Sequence, residues 1–203
     1  MDLEKIIPKN GPPINEVSKY IEKYKDDLIC LKYGGNIFLD RSIFISFIED
    51  LSILNKLGIK ICVIHGGGPR IQKELEKSNI QSKFIRGLRV TDEKIIDIVE
   101  NVLIDFNNDI VSSLEKMGTK AVGIHTKKNN IIEVLRDAPE LGFVGTPNKI
   151  NNEIILNIIK DGKIPIISPL GLQENQAFNI NGDVAAGKIC LLYTSDAADD
   201  QAC

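Results

Sequence analysis

One repeated unit constrains this chain more than anything else: a short, continuously apolar run, then glycines, then a stretch with helical apolar spacing. Leu28-Ile29-Cys30-Leu31 is the first run, and it ends in Lys32-Tyr33-Gly34-Gly35-Asn36. Residues 59–65, with Ile61-Cys62-Val63-Ile64 at their centre, are the second and lead into Gly66-Gly67-Gly68-Pro69. A continuous apolar run reads as a strand buried on both faces. Strands alternating with helices predict a mostly parallel sheet covered on both sides, an α/β three-layer sandwich. Sheets of this kind bind ligands beyond the carboxyl ends of their strands, and both glycine loops fall there.

The other elements follow from the same periodicities. Ile14, Val17, Ile21 and Tyr24 mark a helix over 14–25. Ile43, Phe44, Phe47, Ile48, Leu51 and Leu54 mark one over 41–57, closed by Gly58. Pro69 suits the first turn of a helix that runs to about residue 77. Thr91 or Asp92 caps a long helix with its stripe at Ile95, Val99, Leu103, Phe106, Ile110 and Leu114, ended by Gly118. A third strand is expected at 121–125. Short strands at 131–135 and 142–144 flank a polar loop, and Asn151 or Asn152 opens a further helix. A fourth main strand spans 164–168, where Pro165 argues for a strand start or an edge.

The chain has 203 residues with 25 Lys and Arg against 28 Asp and Glu. This balance argues against a nucleic-acid binder that works by neutralising phosphates. The composition is 43% hydrophobic and 26% charged, which is globular. No apolar run reaches the ~18 residues of a membrane span. Met1-Asp2-Leu3-Glu4-Lys5 lacks the plan of a secretory signal, so a cytoplasmic location is expected. Cys30, Cys62, Cys190 and Cys203 form no CxxC pair and read as free thiols in a reducing compartment. Two histidines without clustered cysteines or carboxylates make a zinc site unexpected. Residues 190–203 continue no periodicity and read as a non-native tail, of the kind left by translated adapter sequence. They hold Asp196, Asp199 and Asp200 and no Lys or Arg, so the acidic excess belongs to them.

Chemistry concentrates at a few positions. Glycine lets backbone N–H groups approach an anion, and a helix N-terminus behind them adds its dipole. Neither loop is a Walker A motif, because GK[ST] is missing, and Ile71 stands where the third glycine of GxGxxG belongs. Two such loops still favour phosphate chemistry. Lys32, at the end of a strand and just before a glycine pair, either neutralises a transferring phosphoryl group or simply snorkels outward. Arg89 either clamps a carboxylate or is solvated. Asn179 offers hydrogen bonds to a substrate. Asp183 either orients a lysine or caps a helix. His65 supports its glycine loop. The nucleophile-elbow pattern GxSxG is absent.

These segments, with Gly87-Leu88-Arg89-Val90-Thr91-Asp92, Gly142-Phe143-Val144-Gly145 and Asn179-Ile180-Asn181-Gly182-Asp183, resemble the amino acid kinase family in order and content. The match is to its branch acting on N-acetyl-L-glutamate. The resemblance implies ATP-dependent phosphorylation of that substrate's side-chain carboxylate, in arginine biosynthesis. It implies that Lys32 stabilises the transition state and that Asp183 organises the catalytic lysines. Gly34, Gly35 and Gly66 would approach phosphate, and Gly67, Gly68, Arg89 and Asn179 would contact the substrate. Mg2+ would be carried by the nucleotide, with no metal site on the protein. Residues 1–26 are expected as an N-terminal helical extension, with Tyr20 and Tyr24 in an arginine-sensing region of a homo-oligomer, a hexamer built of dimers. A PII protein is a further partner in some members, and a plastid stroma replaces the cytoplasm in photosynthetic eukaryotes. Residues 27–189 would form the substrate domain and the start of the ATP-binding half. The family continues for about a third of its length beyond Ile189, so the nucleotide half is expected to be largely missing and the chain as given inactive. Gly182 stands where the family usually has alanine. Alternatives are a family member acting on another acid, or a non-catalytic arginine-sensing fragment.

Overall fold

A computed structural model describes residues 2–34 and 40–199. The elements in order are α1 (Leu3–Ile6), α2 (Ile14–Tyr24), β1 (Leu28–Tyr33), α3 (Arg41–Lys56), β2 (Lys60–His65), α4 (Gly68–Lys77), β3 (Phe84–Ile85), β4 (Leu88–Arg89), α5 (Glu93–Lys116), β5 (Ala121–Ile124), β6 (Ile132–Arg136), β7 (Gly145–Ile150), α6 (Asn152–Lys160), β8 (Ile164–Ile167), β9 (Leu170–Gln173), β10 (Gln176–Asn179) and α7 (Gly182–Asp199).

The central sheet has the order β1-β2-β8-β5, and every pairing in it is parallel. Strands β2 and β8 at its centre are buried on both faces, as their continuous apolar runs require, while the edge strand β1 is only half-buried. Alternate side chains separate into two cores. Ile61, Val63, Ile164 and Ile166 pack with Ile48 and Leu51 of α3 and with Phe106, Ile110 and Leu114 of α5. Cys62, Ile64 and Ile167 pack on the opposite face with Ile155 of α6 and Ala185 and Ile189 of α7. This is the expected three-layer arrangement. A third cluster seats Ile71 and Leu75 of α4 against Ile95, Val99 and Leu103 of α5. Cys30 and Cys62 are register partners, and the Cys62 thiol donates to the Cys30 sulfur at 3.2 Å. That bond draws the Cys30 pKa down and, with burial, pushes Cys62 up.

Pro165 lies near the start of β8 but not at an edge, since β8 runs between β2 and β5. Ile164 N donates to Lys120 O on the β5 side, so the next residue's nitrogen faces β2. Pairing with β2 begins only at Ile166, so proline's missing N–H costs no ladder bond.

A second sheet, ordered β10-β9-β6-β7, was not legible from the sequence. Residues 142–144 are not a strand: the partner of β6 begins at Gly145, antiparallel, with an irregularity at Glu133/Val134. Gly142 sits at φ 73°, and a Cβ there would run into the Thr91 carbonyl. Thr91 N donates to Leu141 O and Phe143 N donates to Thr91 O, which ties the start of α5 to this sheet. The final helix also runs further than read, through Asp199.

Candidate active site

All four central strands end at one edge. Tyr33 pairs with His65, while Ile64 and Ile124 both pair with Ile167. The loops after β1 and β2 are therefore adjacent, and Gly66 N donates to Tyr33 O at 2.7 Å. A cavity of about 280 Å3 opens there, and Lys32, Gly34, Gly66, Gly67, Gly68, Arg89, Asn179 and Asp183 all line it. Every site residue named from the sequence is thus brought together, apart from Gly35, which lies outside the described residues.

Lys32 and Asp183 both line the cavity, and the Lys32 Nζ lies 2.9 Å from Asp183 Oδ1. A side chain at Gly34 would occupy the space of the Lys32 ammonium. Asp183 does not cap α7. Asn181 does, its Oδ1 accepting from the N–H groups of Asp183 at 2.8 Å and Val184 at 3.2 Å. The Asp183 carboxylate is thereby left for the lysine.

The glycines after β2 are needed for different reasons. A Cβ on Gly67 would come within 2.5 Å of Leu103 Cδ2, whereas nothing stands within 4 Å of one on Gly68. No side chain caps α4, whose N-cap is Gly67 and whose first turn contains Pro69. Among the described residues its leading N–H groups have no side-chain acceptor, the arrangement that receives an anion at a helix start.

Arg89 is delivered by a hairpin missed in the sequence. Arg86 (φ 51°) and Gly87 (φ 80°) turn β3 into β4, both in the left-handed region of a tight two-residue turn. The Arg89 guanidinium lies 4.7 Å from the Phe84 ring centroid. Its Nη1 donates to Gln72 Oε1 at 3.2 Å and to Ser82 Oγ, and Nη2 donates to Gly68 O at 3.4 Å. Among the described residues, three of its five N–H groups are occupied, and the free ones include Nε–H. That edge matches a carboxylate bidentately. Burial lowers its pKa. Thr91, fully buried, donates to Arg89 O at 2.8 Å, and Asn179 Nδ2 lies 3.4 Å from the same hydroxyl. Gln72, Ser82 and Phe84 carried no separate sequence signal, because their importance comes only from contact with Arg89, and Thr91 was read only as a helix cap and part of its motif.

Behind the second loop lies a buried polar cluster. His65 Nδ1 is 3.0 Å from Gly66 O, and Nε2 is 3.0 Å from Ser168 Oγ and 3.2 Å from Asn107 Nδ2. Asn107 Nδ2 also donates to Ile166 O at 2.8 Å. Burial pulls the His65 pKa down to about 4, with the neighbouring Arg70 charge adding to it against the bond to Gly66.

The fold agrees with that of the known proteins the chain is similar to. The sequence profile of the amino acid kinase family matches residues 27–196. The chain belongs to that family. It is 50% identical over 191 residues to the acetylglutamate kinase of Pelagibacter ubique (strain HTCC1062), covering 94% of this chain and 66% of that protein. It is 40% identical to the acetylglutamate kinase of Jannaschia sp. (strain CCS1), covering 90% and 65%. The chain thus spans about two thirds of the length of these curated relatives. Among solved structures, smu.665 from Streptococcus mutans UA159 superposes with a TM-score of 0.70 at 27% identity, over 82% of this chain and 69% of that one. The amino acid kinase fold extends to a distant structure, N-acetylglutamate synthase from Neisseria gonorrhoeae, at 20% identity and a TM-score of 0.75, over 87% and 41% of the two chains.

Proposed function

We propose that this amino acid kinase chain is the acid-binding part of an acetylglutamate kinase, which transfers the γ-phosphoryl group of ATP to the side-chain carboxylate of N-acetyl-L-glutamate in arginine biosynthesis. The observation that carries the reading is one cavity lined by two cationic side chains, Arg89 and Lys32, and by the glycine start of α4, which no described side chain caps. A dicarboxylic acid suits a cavity that holds two cations. Arg89 would take the α-carboxylate on its free edge, with Asn179 beside it. The reacting carboxylate would then lie against the N–H groups at Gly67 and Gly68.

Phosphoryl transfer asks a protein mainly for positioning and charge stabilisation. In this reading Lys32 balances charge on the transferring group, and Asp183 keeps the ammonium in place before substrate arrives. Gly34 leaves room for that ammonium. Gly66 and Gly35 are proposed to approach phosphate. Mg2+ would travel on the phosphates of ATP and help neutralise them. Among the described residues, no group of three or more His, Cys, Asp and Glu side chains could hold a metal ion. Asp183, the cavity's carboxylate, is engaged by Lys32.

We further propose that residues 1–26 serve as an extension for self-association and arginine sensing. Support comes from α2, where Ile14 and Tyr20 are exposed and the Tyr20 and Tyr24 rings stack at 6.3 Å. Sedimentation with and without arginine tests this, and an unchanged monomer would remove it. No helix among the described residues is long and apolar enough to cross a membrane.

Substrate binding is tested on the chain itself by titrating N-acetyl-L-glutamate, L-glutamate and N-acetyl-L-aspartate calorimetrically. Turnover is tested on the protein at its relatives' full length, with the acyl phosphate trapped by hydroxylamine. Selective binding of N-acetyl-L-glutamate and ATP-dependent hydroxamate are expected. Preference for another acid, or ATP consumption with no trapped acyl phosphate, would overturn the reading.

A further inference from the structure

We propose that His65 is a positioning residue, whose Nδ1–H holds back the Gly66 carbonyl and so aims the Gly67 N–H into the cavity. The argument follows from which groups can donate. Gly66 O is a carbonyl and can only accept, so the His65 Nδ1 at 3.0 Å carries the proton. The ring is fully buried and neutral, which leaves Nε2 bare and accepting. Two donors face that nitrogen. The orientation of the Asn107 amide is set independently, because its Nδ2 also lies 2.8 Å from the carbonyl of Ile166. Ser168 Oγ, at 3.0 Å, accepts from Asn107 Nδ2 at 3.1 Å and has its own hydrogen to turn either to that nitrogen or to Leu103 O at the longer distance of 3.5 Å.

Both sides of Gly66 are therefore pinned, its N–H by Tyr33 O and its C=O by the imidazole. The peptide joining Gly66 to Gly67 is planar and trans, so its N–H points opposite its C=O. The imidazole lies on the core side, packed edge-on against Phe106 at 5.0 Å. Gly66 and Gly67 line the cavity and His65 does not. One tautomer on a side chain that never meets the ligand thus sets the direction of a donor that does. Only the ligand's identity rests on the function proposed above.

Two measurements test this. In the first, the 203-residue chain is labelled with 15N-histidine, and the imidazole pattern is read near neutral pH. A proton on Nδ1 and none on Nε2 is expected; the reverse tautomer overturns the proposal without any variant. In the second, N-acetyl-L-glutamate is titrated while the Gly67 amide resonance is followed, in the wild type and in two variants. His65→Asn keeps a donor near the Nδ1 position, while His65→Gln places its amide near Nε2. His65→Asn should retain affinity to within a few-fold and His65→Gln should lose about tenfold or more, with the Gly67 shift lost, as expected for one hydrogen bond to a charged group. Equal affinities in folded variants, or binding that leaves Gly67 unmoved, overturn the proposal. If the wild type ignores N-acetyl-L-glutamate, the function reading fails, while the tautomer measurement still decides the role of His65.

Discussion

Arg89 shows how much a single residue depends on its surroundings. Its fork is preorganised by Gln72, Ser82, Gly68 and the Phe84 ring. A lysine has neither the planar fork nor the stacking face. Arg89→Lys should therefore weaken N-acetyl-L-glutamate binding by about tenfold or more, a loss of ~1.4 kcal/mol upward, while the thermal midpoint moves little; calorimetry and a melt separate the two. His65 makes a different kind of prediction. Its folded pKa of about 4 lies below the ordinary 6.5, so between those values the unfolded chain binds a proton that the native chain refuses. Stability is complete above pH 6.5 and falls as pH drops towards 4, by about 3 kcal/mol from this group. His125, whose pKa is also lowered by burial, adds in the same direction. Urea unfolding at neutral and mildly acidic pH measures the slope, and flat stability across that window would contradict it. At this scale the sequence disclosed Lys32, Arg89, Asn179 and Asp183 as chemical types but not what each would touch. Whether Asp183 caps or pairs depended on Asn181, two residues earlier, taking the cap.

That cap defines the first prediction at the scale of elements. Asn181→Ala removes the acceptor for two N–H groups at the start of α7 and should cost about 1 kcal/mol. The melting point should fall by ~2–4 °C. Asp183→Asn should leave stability almost unchanged, because its pair with Lys32 is largely exposed. Elements with a strong period were legible: β1, β2, α3 and α5 declared themselves through buried runs and stripes. The hairpins did not. The turn from β3 to β4 puts Arg86 at φ 51°, and that from β9 to β10 puts Glu174 at φ 49° and Asn175 at φ 66°. Residues that bear a left-handed cost only because the surrounding sheet demands it give no Asn-Gly signal to read.

For the molecule as a whole, layering was legible because alternation of strand and helix dictates it. The second sheet was not, since it depends on β6 meeting β9, nearly forty residues on, through the single register Glu133↔Leu172. The N-terminal segment is part of this larger scale. Leu3, Ile6, Val17, Ile21 and Tyr24 pack on the core beside Ile29, Ile53 and Leu54. Deleting residues 1–26 should uncover that face and lower stability by at least about 2 kcal/mol, with light scattering reporting association of the uncovered surface. Finally, two glycines face opposite kinds of natural selection. A methyl group at Gly142 meets backbone at a left-handed residue, so its variants should vanish from the soluble pool. Among the described residues, one at Gly34 meets the tip of a flexible lysine, so those variants, made in the protein at its relatives' full length, should accumulate as abundant protein that under the proposed function cannot rescue an arginine auxotroph. In a pooled mutational scan, the gap between abundance and growth at each position would tell which glycine is kept for folding and which for catalysis.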